Sequence, residues 1–379
     1  MKMRLFGSHG AWRLLLLSLP ILGLLLPTAV AWGKVRGACV NCHTMHNSQD
    51  GSSVVDADPG IQPALTTNDC VGCHSNDSNT IKDLGSGSQV PIVYTTNAPS
   101  LEPGTATSML AGGNFLWVVS VDSKGHNVFG LAGVDSILNK APGGTVGAGS
   151  GSPCYDCHGS LATSNSGCRG CHLPAHHADD SAVVVDADHG SYRFLGDVMK
   201  LAVSGGPAYG ERVGVAGIED PDWEQTVSSS DHNGYTGATE VYEQGMGSPP
   251  QLESIGQMCA GCHGDFHDSM NTGQEGGGND LSGAWLRHPS DVVIPDSGEY
   301  AAYTEYDPMA PVAKVALTAE LANSPIVTPG SDVVTCISCH RPHGSPYPDM
   351  LRWDYGICIA GVADSDNECG CFVCHTAKD

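Results

Sequence analysis

Cys39-Val40-Asn41-Cys42-His43 sets the organisation of this chain, because its pattern returns six more times. The other copies are Cys70-Val71-Gly72-Cys73-His74, Cys154-Tyr155-Asp156-Cys157-His158, Cys168-Arg169-Gly170-Cys171-His172, Cys259-Ala260-Gly261-Cys262-His263, Cys336-Ile337-Ser338-Cys339-His340 and Cys371-Phe372-Val373-Cys374-His375. C-x-x-C-H is the attachment signature of c-type haem. Two thiols three residues apart lie on one side of a single turn and can both form thioethers with the haem vinyls. The His that follows is then aimed at the iron. C-x-x-C alone also serves zinc and thiol redox chemistry. Independent sites of those kinds would not all carry His at the same offset, so the sequence predicts seven covalently attached haem c groups.

What fills the second axial position decides between electron transfer and catalysis. Beyond the motifs, the exported part of the chain holds His46, His126, His176, His177, His189, His232, His267, His288 and His343. Seven irons can therefore all be bis-histidine, with two histidines to spare. His46 and His343 follow their motif His by three residues, His267 by four, and His176 and His177 come just after His172. So short a turn cannot cross a porphyrin, so each of these should ligate a neighbouring haem and lock the haems into a chain. The reading assigns His46, His126, His176 and His177 to the first four haems and His267, His288 and His343 to the last three. His189 and His232 are the spares; if only one of the adjacent pair His176 and His177 ligates, one of them takes the place. Met45 and Met309 could ligate but are not needed.

The first residues read as an export signal. Lys2, Arg4 and Arg13 precede an apolar run from Leu14 to Leu26, and Ala29-Val30-Ala31 supplies small residues for cleavage before Trp32. About 13 apolar residues is short for a membrane span. Export agrees with haem attachment, which takes place on the far side of the membrane, and the expected location is periplasm, outer surface or extracellular space. No later stretch is apolar enough for a transmembrane anchor. Fourteen of the 16 cysteines belong to the seven motifs. Cys358 and Cys369 remain, and an oxidising compartment favours a disulfide between them. Cys369 is open to a second reading, as the first thiol of a wider-spaced attachment ending at Cys374-His375.

Composition bounds the fold. Residues 32–379 leave about 50 residues per haem, too few for a large core around each. Gly 49, Pro 23 and 6% aromatic content break up regular elements. The expected fold is irregular and loop-dominated, with short helices at the haem sites, few short strands and a core formed by stacked haems. The net charge of −24 argues against nucleic acid and anionic lipid as partners. Asp56-Ala57-Asp58 and Asp364-Ser365-Asp366 could bind calcium, although neither completes a calcium-loop pattern. Motif histidines are spaced 31, 84, 14, 91, 77 and 35 residues apart. This divides the chain into a signal peptide (1–31), a four-haem module (32–178), a loop-rich connecting segment (179–255) and a three-haem module (256–379). Asn114 to Val121 is β-prone, and Val54–Gly60 is echoed in Val184–Gly190.

Cys42-His43-Thr44-Met45-His46-Asn47-Ser48 resembles the opening of the multihaem c-type cytochromes of dissimilatory metal-reducing bacteria, including extracellular cytochromes that polymerise into filaments. The similarity continues in Lys124-Gly125-His126-Asn127-Val128, Cys171-His172-Leu173-Pro174-Ala175-His176-His177, Trp285-Leu286-Arg287-His288-Pro289 and Cys339-His340-Arg341-Pro342-His343-Gly344-Ser345. It covers most of the chain after residue 31, thinly in 179–255. The resemblance implies respiratory electron transport beyond the inner membrane, with other redox proteins as partners. In the filament branch, the second His of the opening ligates a haem of the next subunit; carried over, that residue is His46, in a homopolymer. The departure is the haem number, seven.

Three functions compete on these residues: a non-catalytic electron conduit, the same conduit built into a filament, and a multihaem reductase of a small oxyanion or nitrogen compound. A reductase needs an open iron, usually marked by Lys in place of a motif His. All seven motifs here end in His, which favours the conduit and assigns no catalytic residue.

Overall fold

Each motif that can be followed folds as one helical turn, and the reason is local. In the computed structural model, which describes residues 35, 37–49, 52–53, 65–85, 87–135, 137–138, 141–142, 161–162, 167–172, 176–177, 191–196, 214–239, 254–260, 263, 288–361 and 368–377, these turns are Cys39–Asn41, Cys70–Cys73, Gly167–Gly170, Ile255–Ala260, Cys336–Cys339 and Cys371–Cys374. A four-residue turn cannot stand alone, so it is held from both ends. Asp69 accepts a hydrogen bond from the Gly72 N–H, and Thr335 forms a capping box with Ser338. At the other end the motif His N–H donates to the first Cys carbonyl in six motifs: His43 to Cys39, His74 to Cys70, His172 to Cys168, His263 to Cys259, His340 to Cys336 and His375 to Cys371. These bonds span 2.8–3.0 Å. The backbone thus fixes where each imidazole starts.

Strands are short and paired two at a time. Ser48–Gln49 pairs antiparallel with Ser52–Ser53, Ile81–Gly85 with Ser88–Pro91, Gly217–Ile218 with Gly234–Tyr235, and Val292–Val293 with Val333–Val334; Ser75–Asn76 runs parallel to Tyr94–Thr95. Two-stranded ladders of this size have little independent stability. The fold is loop-dominated, as composition predicts.

The β-prone run Asn114 to Val121 is not a strand. Phe115 to Ser120 coils in turns, with the Val119 N–H donating to Phe115 O and the Val121 N–H to Trp117 O. Phe115 and Val118 are buried together with Val128, while Val119 and Val121 face solvent. The i, i+3 spacing of the buried pair is helical, and no partner strand lies alongside the run among the described residues.

Apolar packing is divided among small clusters. Tyr192, Leu195, Val215 and Tyr235 join Ile255, Ala313 and Ile337, with Cys171 packed against them. The connecting segment therefore supplies core as well as loop. Ile294, Tyr303, Tyr306, Val312 and Val327 form a second cluster beside Cys374. No helix among the described residues is long and apolar enough to cross a membrane. The calls on residues 1–31, on the two acidic calcium candidates and on the 54–60/184–190 echo lie outside the described residues, as do Cys154, Cys157, His158, His189, Cys262 and His267.

Candidate metal centres

The motif imidazoles do not stand alone. His43 faces His177 with ring centroids 6.1 Å apart, His74 faces His176 at 6.4 Å, and His172 faces His343 at 5.9 Å. His263 faces His126 at 6.1 Å, and His375 faces His288 at 6.1 Å. Two imidazoles bound on opposite sides of one metal would have centroids about 6 Å apart, from two metal–nitrogen bonds of about 2 Å and two ring radii of about 1.1 Å. Interplanar angles run from 24° to 87°, which coordination permits, because each ring can turn about its metal–nitrogen axis.

His232 gives the contrast. It lies flat on Tyr306, with centroids 3.6 Å apart and planes 8° apart. Its Nδ1 donates to Asn233 O, and its Nε2 approaches Ser324 O. Both nitrogens are faced by carbonyls and the ring by Tyr306, unlike the paired imidazoles. Buried at 3% exposure, it packs as a core side chain.

A ligating His usually donates its second ring N–H to a carbonyl or carboxylate, which fixes the tautomer. Nδ1 of His74 donates to Pro91 O, of His126 to Pro342 O, of His172 to Arg193 O, of His263 to Pro142 O, of His288 to Pro289 O and of His340 to Asp349 O, all at 2.7–2.9 Å. His375 differs: its Nδ1 meets the Glu299 carboxylate at 3.1 Å. Donation from Nδ1 leaves the Nε2 lone pair for a metal. Burial pushes the His343 imidazole down to about 3 and also lowers His126 and His176, which favours the neutral form a ligand needs.

Two of these carbonyls are placed by the same device. Arg193 and Phe194 have φ of 47° and 59°, and Asp349 and Met350 have φ of 57° and 60°. Each left-handed pair presents the carbonyl of its first residue to a motif imidazole. Three residues after that carbonyl, a backbone N–H donates to the second motif Cys: Gly196 to Cys171 O and Arg352 to Cys339 O. Non-glycine residues in this region are strained, and here the strain aims the acceptor at the ring.

His126 and His343 are brought in by a close crossing of two distant segments. The His343 N–H donates to Gly112 O, the Asn114 N–H to Gly344 O and the Ser345 N–H to Lys124 O. Arg341 donates to the carbonyls of Leu110 and Ala111. At Gly113, φ is +87° and an added Cβ would lie 2.1 Å from Gly344 O, so only glycine permits the approach.

The crossing redistributes the second imidazoles. The sequence reading gave His126 to the first four haems and His343 to the last three; instead His126 faces the fifth motif and His343 the fourth. His176 and His177 both face motif histidines, those of the second and first motifs. His46 is exposed, and among the described residues no second imidazole stands opposite His340. Glu299 carried no sequence signal, since it lies 76 residues before His375. Thiols of different motifs are also neighbours. The Cys70 thiol stands beside that of Cys168, and the Cys259 thiol beside that of Cys336. Attachment edges of separate motifs thus lie close together.

The family described as a doubled CXXCH motif matches residues 329–379, which hold the sixth and seventh motifs. The C-type cytochrome OmcS of Geobacter sulfurreducens is 27% identical to the chain, over 92% of this chain and 87% of OmcS. The chain thus carries seven C-x-x-C-H motifs and is similar along most of its length to a c-type cytochrome. Among solved structures, it is similar to the Outer Membrane Cytochrome S filament of Geobacter sulfurreducens, at 21% identity and a TM-score of 0.44 over 88% of each chain. It is also similar to the chain of the OmcS nanowires of the same organism, at 19% identity and a TM-score of 0.45, covering 89% of this chain and 88% of that one. The five imidazole pairs fit covalently bound haem c: each sets two rings at the centroid separation a metal between them would require, beside the thiols of its motif.

Proposed function

We propose that this cytochrome is a heptahaem electron carrier with bis-histidine irons throughout, working outside the inner membrane. The observation that carries the reading is the set of five imidazole pairs at 5.9–6.4 Å. Haem c supplies reversible one-electron iron chemistry when bound. The protein's residues do the rest: the fourteen motif cysteines hold the groups in place, and the motif histidines give the first axial nitrogen. His177, His176, His343, His126 and His288 give the second to the irons of His43, His74, His172, His263 and His375. His46 and His267 complete those of His158 and His340. With both axial positions filled there is no open iron for a substrate, which separates a carrier from a reductase.

A pyridine haemochrome assay against protein concentration is expected to give seven haems per chain, and the resting ferric spectrum of the assembled protein to be entirely low-spin. A stoichiometric high-spin signal in that assembled state would favour the oxyanion or nitrogen-compound reductase instead. Filament assembly belongs to the same reading. OmcS, the full-length relative, forms nanowires, and His46 is an exposed imidazole near the start of the exported chain, where it can serve a neighbouring copy.

Glu299 tunes one site. A carboxylate acceptor makes the His375 imidazole more electron-rich than a carbonyl would, which stabilises ferric iron. Its place is secured through its own carbonyl, which accepts from the N–H and hydroxyl of Thr376. Glu299→Gln is expected to raise the potential of the seventh haem by on the order of tens of millivolts and leave the other six unmoved. A spectroelectrochemical titration checks this; superimposable curves would remove Glu299 from that role.

A further inference from the structure

Three sulfurs meet at the C-terminal motif. Cys358 and Cys369 form a disulfide, and the Cys371 Sγ lies within 4.8 Å of both. Cys369 is 1% exposed, while Cys371 and Cys374 are half-buried and share one side of the Cys371–Cys374 turn. Gly370, between the two thiol positions, is pressed against Trp353; an added Cβ would lie 2.2 Å from the indole. The Phe372 N–H donates to Cys369 O, which fixes Cys369 just ahead of the turn.

This arrangement matters because Cys369-Gly370-Cys371-Phe372-Val373-Cys374-His375 contains two attachment spacings. Cys371 with Cys374 gives the two-residue spacing of the other motifs. Cys369 with Cys374 gives a four-residue spacing ahead of the same histidine. Thioether formation adds a thiol S–H across a vinyl C=C and needs no oxidant, so a free Cys369 would compete with Cys371 for the same vinyl.

We propose that the Cys358–Cys369 disulfide sets the attachment register of the seventh motif, by withdrawing Cys369 before haem is attached. This rests on the reading of Cys371 and Cys374 as haem-bearing. A disulfide-donating oxidant of the exported compartment takes two electrons and two protons from Cys358 and Cys369. That leaves Cys371 as the thiol upstream of Cys374 that can add to a vinyl. The selection is then locked. A free Cys371 thiolate could attack the Cys369 sulfur, form a Cys369–Cys371 disulfide and release the Cys358 thiolate, an exchange with no net change in electrons. Once its sulfur is a thioether, Cys371 can no longer attack.

The test is peptide mapping by mass spectrometry of the full chain, exported with haem attachment intact. Wild type, Cys358→Ser, Cys369→Ser and the double variant are compared, with free thiols alkylated. Wild type is expected to carry haem on Cys371 and Cys374 with Cys369 unalkylated. Cys358→Ser is expected to lose Cys371 occupancy, either to Cys369–Cys374 attachment or to a Cys369–Cys371 disulfide with one thioether missing. Cys369→Ser and the double variant are expected to keep the Cys371–Cys374 attachment, because no competing thiol remains. A disulfide that served only stability would make all three variants alike, and that result overturns the proposal. So does Cys358→Ser with complete Cys371–Cys374 attachment and a free Cys369. A wild-type C-terminal peptide without haem on any of its cysteines would overturn the heptahaem reading itself.

Discussion

Produced without covalent haem attachment, the exported chain is expected to be expanded and protease-sensitive. A folded domain of 348 residues has a radius of gyration of about 20 Å and its unfolded chain about 67 Å; small-angle scattering of the apo chain should fall well towards the larger value. The longest helix among the described residues is Ile255–Ala260 and the longest strand Ile81–Gly85. Neither can form in isolation. Ordering the backbone costs about 1–2 kcal/mol per residue, while burying a large apolar side chain returns about 1.5–3 kcal/mol. Here the ordered residues far outnumber the buried large apolar side chains, many of which fall into three small clusters.

The histidines reinforce this. His343 is half-buried, but its Nδ1 is buried with no hydrogen-bond partner among the described residues, and desolvation favours the neutral ring. That nitrogen is an uncompensated buried polar group, and such groups cost about 1–3 kcal/mol. Imidazoles paired at this separation would be held by a cofactor between them, so folding and haem attachment are expected to be one process, as metal binding and folding are in small metal domains. An apo chain with a radius near 20 Å and ordinary resistance to protease would show that the protein packs without its haems.

The sequence made the attachment sites legible because C-x-x-C-H is local: five consecutive residues close one turn through a His N–H to Cys carbonyl bond. His176 and His177 were singled out for a related reason, since a turn too short to cross a porphyrin would have to serve other haems, and both face motif imidazoles other than His172. Which motif each distant histidine faces was not legible. His126 reaches His263, and His343 reaches His172, through the Gly113–Gly344 crossing, a contact between segments about 230 residues apart that no local pattern encodes. Glu299 was invisible for the same reason. Asn114 to Val121 misled because β-branched and aromatic residues suit a strand only where a partner strand exists. The Cys358–Cys369 pairing could be reached by counting thiols, but its proximity to Cys371 could not.

His46→Ala is expected to abolish filament formation while leaving seven haems attached. His43 faces His177, so an iron held by its own motif would have both imidazoles, and His46, three residues on, would be released from that site. Asn47 has a φ of 53°, which turns the chain directly after His46, and Met45 beside it is 74% exposed. An exposed imidazole on an exposed turn is free to enter another molecule. Loss of one trans nitrogen per subunit would leave one iron per chain five-coordinate and remove the bond that orders successive subunits. Electron micrographs of the variant should therefore contain only dispersed particles, its mass should still include seven haems, and its ferric spectrum should gain one high-spin site. Free imidazole should return that site to low spin without restoring filaments, because a diffusible ligand satisfies the iron but links no chains. Filaments of normal abundance from His46→Ala would sink the trans-ligation reading. Filaments lost together with a haem would place His46 in the folding of its own subunit instead.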